Sequence, residues 1–68
     1  MQNEIDPNAP VYARTIPNSA KAMGIGVSTL WRLIANGEIR TISINRRRLI
    51  AETELQRFIR DRVEAANA

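Results

Sequence analysis

Apolar residues along this chain recur first every three or four positions, then every second position, then every three or four again. That order predicts helices, a strand pair and a final helix. The first helix opens at Thr15, whose hydroxyl is placed to cap Ile16, Pro17 and Asn18, with proline tolerated in a first turn that needs no donor there. It runs to about Met23, where Gly24 supplies a left-handed stop, and only Gly24-Ile25-Gly26 separates it from the next helix. That second helix, about Val27 to Asn36, sets Val27, Leu30, Leu33 and Ile34 on one side and Ser28, Arg32 and Ala35 on the other. Asn36-Gly37 closes it.

From Arg40 to Ile50 the pattern becomes β-branched and alternating, which reads as a hairpin. A two-residue turn at Asn45-Arg46 pairs Ile42 with Leu49 on the buried side and lets Ser43 and Arg48 face out. A three-residue turn that includes Arg47 is the alternative, because arginine tolerates positive φ poorly. The last helix begins near Glu52 or Thr53, with Leu55, Phe58, Ile59 and Val63 on one face to pack across the first two helices. Before all this, Val11 to Arg14 has the alternation of a short edge strand. Residues 1–13 read as a flexible tail, 14–64 as the folded domain and 65–68 as a fraying end.

Charge changes the picture more than composition does. The formal net charge of the 68 residues is +3, but residues 14–48 hold seven basic side chains against Glu38 alone, for a local +6. A basic middle of this strength points to a polyanion. The chain has no His and no Cys, which removes disulfides, thiolates, His-ligated metals and the commonest general base; no metal, no cofactor and no enzymatic activity are expected. Glu52, Glu54, Asp61 and Glu64 sit on a helix with no cleft to perturb them. Tyr12 is not a strand-transfer nucleophile, since so small a domain lacks the groups that would stabilise a phosphorane. No apolar run approaches a membrane span, and a soluble cytoplasmic protein is expected.

Helix, three-residue turn, helix and an arginine-tipped hairpin outline a winged helix-turn-helix. The fold class expected is α+β, mainly α, with a two-stranded wing and a C-terminal helix. The partner expected is double-stranded DNA. The exposed side of the second helix offers Ser28 and Arg32, with Trp31 at its border, to the major groove. Arg46, Arg47 and Arg48 are placed for phosphates and the narrower groove, and Lys21 and Arg40 are candidates for phosphate contacts.

The run from Gly24 to Ile34, then Asn36-Gly37-Glu38-Ile39, then Ile42 to Ile50 resembles the excisionase family of small phage and mobile-element DNA-binding proteins. The similarity covers about Thr15 to Ile59. It implies a MerR/excisionase-like fold and a protein that binds DNA cooperatively beside copies of itself, head to tail, bends it, and directs a separate integrase toward excision. By resemblance, Ser28, Trp31 and Arg32 take the recognition role and Arg46, Arg47 and Arg48 the wing role. The chain departs from the family in having Asn18 where acid is common, Trp31 for tyrosine and Asn45 for glycine at the turn. A prophage transcription regulator on the same scaffold is the alternative reading. A MerR-type dimer is disfavoured by the lack of a long helical segment after Val63.

Overall fold

A computed structural model describes residues 10–68, and the part of the predicted tail before residue 10 lies outside it. Six elements follow in order: β1 (Ala13–Thr15), α1 (Ile16–Met23), α2 (Val27–Ala35), β2 (Ile42–Ile44), β3 (Arg47–Ala51) and α3 (Glu52–Ala66). The fold is α+β and mostly helical, as the pattern of periods predicts. No helix among the described residues is long and apolar enough to cross a membrane.

Local signals set the helix ends. Thr15 Oγ1 accepts the Asn18 N–H at 3.3 Å, and Pro17 sits in the first turn of α1, where no intrahelical donor is missed. Gly24 takes a left-handed φ of 74° and ends α1, and the Ile25 N–H returns to the Ala20 carbonyl at 3.0 Å. The following helix is capped at its start by Gly26 with no side-chain bond. At its far end Gly37, φ 78°, lets the Gly37 and Glu38 N–H groups return to the Ile34 and Leu33 carbonyls, each at 3.0 Å. Two helices are thereby joined by a turn too short to wander.

The wing is part of a larger sheet than expected. Strand order is β1-β3-β2, all antiparallel, so β3 is central: β2 and β3 form the expected two-stranded wing and β1 adds a third strand at its base. β1 pairs Ala13 with Ala51, Arg14 with Ile50 and Thr15 with Leu49. Its strand starts at Ala13, two residues later than the alternation at Val11 implies. β2 pairs Ile42 with Leu49, Ser43 with Arg48 and Ile44 with Arg47, which is the two-residue turn at Asn45-Arg46. Both turn residues have positive φ, 50° and 68°, as a type I′ turn requires.

The core is one cluster: Ile16 and Ala20 from α1, Leu30 from α2, Ile39 from the loop, Ile50 from β3, and Leu55 and Phe58 from α3. Met23, Ile25, Leu33 and Ile34 pack around it. One sequence expectation fails here. Ile59 and Val63 are 43% and 53% exposed, because α3 rests on β3 through its first half and outruns the small core. α3 ends at Ala66.

Candidate nucleic-acid interface

Two projections leave the core, the outer face of α2 and the β2–β3 hairpin. On α2, Ser28, Trp31, Arg32 and Ala35 are all exposed, since positions three and four apart share a helix face and the opposite face holds Leu30 and Leu33. Arg32 is anchored one turn back, its Nη2 donating to Thr29 Oγ1 at 3.4 Å. It makes no pair with Glu38, whose carboxylate is taken by Arg62. On the wing, Arg46 occupies the tip and Arg47 and Arg48 follow on β3, all exposed.

The three arginines are not equivalent. Cross-strand partners share a face and neighbours alternate. Arg47 therefore lies with Ile44 and Leu49, while Arg48 lies with Ser43 on the face that carries the fully buried Ile50. The expectation of Ser43 and Arg48 facing outward and Ile42 and Leu49 inward needs correction, because Ile42 is 42% exposed and Arg48 leans toward α2. Its Cζ stands 5.9 Å from the centroid of the Trp31 ring.

Ion pairing separates the cations into two groups. Arg14 pairs with Glu52 at 2.8 Å, Arg57 with Glu54 and Asp61 at 2.7 and 2.9 Å, and Arg62 with Glu38. Among the described residues, Lys21, Arg32, Arg40, Arg46, Arg47, Arg48 and Arg60 have no carboxylate partner. The candidate DNA-facing arginines thus keep their full positive field, whereas the pairing is concentrated on α3 and its neighbours.

That pairing has a structural task which sequence spacing shows only in part. Arg57 engages both oxygens of Glu54, reaches Asp61, and donates from Nη2 to the Glu38 carbonyl at 2.9 Å. Glu54 also accepts the Arg40 backbone N–H at 2.9 Å. The link from Glu54 to Arg57 and Asp61 is legible as helical spacing of three and four. The reach to Glu38 and Arg40 is not, because it crosses 19 and 14 residues of sequence. The result clamps α3 to the loop that carries the chain from α2 into the wing. Arg40 lines the resulting cleft beside Arg57 and Arg62, on the α3 side of the molecule. Lys21 lies exposed in the last turn of α1.

The Arg57 hydrogen bond holds the Glu54 carboxyl below its ordinary value of 4.5, against the opposing effect of partial burial and with help from the Arg40 N–H. A depressed folded-state value contributes stability that is fully present above the unfolded-state value and vanishes as pH falls through the folded one. Glu54→Gln is therefore expected to lower Tm at pH 7 by about 5 °C. The gap from the parent should close as the pH is taken below the ordinary carboxyl range, as thermal melts from pH 7 to pH 3 will record. A gap that stays constant over that range removes Glu54 from the clamp.

A family described as a helix-turn-helix domain matches residues 15–63. The chain belongs to the helix-turn-helix family. The match takes in α1, the glycine turn, α2, the strands β2 and β3 and most of α3, so in this small helix-turn-helix DNA-binding protein the wing and the clamp lie inside the family's own span. No curated protein and no solved structure gives a significant match. The partner of the helix-turn-helix protein is double-stranded DNA.

Proposed function

We propose that this protein is an excisionase, a cooperative DNA-binding and DNA-bending factor that turns a separate integrase toward excision of a prophage or mobile element. The observation that carries the reading is Arg46, an arginine held at φ 68° at the tip of the wing. That position favours glycine, and a side chain there stores strain of roughly 1 kcal/mol. Strain of this kind at an exposed tip, in a side chain with no carboxylate to hold it, fits a residue kept for an external anion. A narrow groove concentrates negative potential and takes a single arginine well.

Seated together, α2 enters the major groove, which is about 12 Å wide, and the hairpin reaches the adjoining minor groove. Arg32 is the base reader, with Ser28 beside it. Contacts on both sides of one backbone strand favour a bent duplex. A module of this size covers only ~600–1,000 Å² of its own surface on DNA, which is modest for specificity in isolation. Binding of several copies side by side, head to tail, supplies the rest, and a heterologous contact of that kind extends without closing.

Arg46→Gly separates stability from function. The variant should melt a few degrees higher, since glycine relieves about 1 kcal/mol at this φ, yet bind duplex DNA more weakly by roughly 5- to 20-fold through loss of one charged contact. Thermal melts and a gel shift read the two effects. A more stable variant with unchanged affinity removes the tip from the interface.

The excisionase reading itself is tested by gel shift and circular-permutation bending on a fragment from around the element's attachment site, followed by an excision assay with the neighbouring integrase. Cooperative, bent complexes and stimulated excision are expected. Independent, unbent binding with repression of a reporter belongs instead to a transcription regulator on this scaffold.

A further inference from the structure

We propose that Trp31 is a positioning residue, whose indole holds the Arg48 guanidinium in the gap between α2 and the wing so that it grips the backbone phosphates lying between the two grooves. The proposal rests on the DNA-binding reading and adds to it a division of labour among the wing arginines.

The geometry comes from two elements that the sequence alone does not bring together. Arg48 is turned by the pleat onto the Ile50 face of β3, away from Arg47, and its Cζ lies 5.9 Å from the ring of the only tryptophan in the chain. Trp31 leaves 41% of its surface exposed, on the helix face that also presents Arg32. So large an aromatic surface left in water contributes little to the core, where Leu30 fills the corresponding inward position.

The chemistry of the pair suits phosphate better than a base. A guanidinium held over an aromatic ring at cation–π distance keeps its N–H donors free for another partner. It can therefore donate to a phosphate while still over the ring. An arginine on an exposed strand with no such rest samples many rotamers and loses that freedom on binding; the contact removes part of the loss beforehand. Position supports the same assignment. With α2 in one groove and the hairpin tip in the next, the strand of backbone between the grooves passes through the gap that Arg48 spans. Arg46, at the tip, has no such aromatic rest and is free to enter a groove.

A phosphate contact does not depend on sequence, so a random 20-base-pair duplex serves as the probe, read by fluorescence anisotropy across a salt series with the full chain. Arg48→Ala should weaken binding about 10-fold and reduce the steepness of log K against log salt by about 0.9. Trp31→Ala should weaken binding about 3-fold, Trp31→Phe should recover most of that, and the double variant Trp31→Ala/Arg48→Ala should bind no worse than Arg48→Ala alone. The intrinsic emission of Trp31 gives an independent readout and should change on Arg48→Ala in the absence of DNA. Additive losses in the double variant, or a Trp31→Ala protein that binds like the parent, overturn the pairing while leaving DNA binding in place. A parent protein with no salt-dependent binding to any duplex overturns both.

Discussion

Replacing Arg46, Arg47 and Arg48 together with alanine is expected to reduce affinity for duplex DNA by roughly 10²–10³-fold at moderate salt, with little change in the fold. The parent protein, neutralising four or five phosphates, should show log K falling against log salt with a slope near −4, and the triple variant a slope nearer −1 to −2. The reason is the partition of the cations. Arg14, Arg57 and Arg62 are committed to carboxylates, so removing the wing arginines takes away charge that no carboxylate among the described residues was neutralising. All three are exposed, and none contributes to the core cluster. Far-UV circular dichroism should therefore be unchanged, which separates lost contacts from lost structure. A triple variant that keeps the parent's salt slope would place the DNA on another face.

The second large effect is in the core. Leu30 is fully buried at the centre of the face by which α2 meets α1 and the sheet. Leu30→Ala should cost about 2–5 kcal/mol, the sum of lost burial and the void left behind. A domain of this size holds only on the order of 5 kcal/mol in total, so the variant should have lost most of its cooperative melt at 37 °C. Val63→Ala, on the exposed outer half of α3, should stay within about 0.5 kcal/mol of the parent. If Leu30→Ala melts within a few degrees of the parent, the core lies elsewhere.

Features governed by neighbours in sequence were legible before the fold was known. Thr15 as a cap, Gly24 as a stop and Asn36-Gly37 as a closure each depend on the φ or hydrogen bond of one or two residues. The exposed face of α2 follows from its period, and the wing arginines follow from their place between two alternating segments. The register of the hairpin was open between two turns, because it depends on whether Arg46 accepts a left-handed φ, and the structure shows that it does.

What depends on distant partners was not legible. β1 becomes a third strand only because β3 returns beside it. Ile59 and Val63 have the right spacing for a buried face, but spacing does not say where the core ends. For the candidate site, the set Ser28, Arg32, Arg46, Arg47 and Arg48 was readable as basic and polar surface. That Arg48 leans on Trp31, and that Arg57 ties α3 to the backbone on either side of Ile39, requires the tertiary path of the chain.

β3 ends at Ala51 and α3 begins at Glu52, with the Glu52 N–H held by the Tyr12 carbonyl at 2.8 Å. No soft joint lies between the strand that carries the arginines and the helix that leaves the far side of the molecule. A rotation of the hairpin is consequently delivered to the outer half of α3 as the turning of a crank.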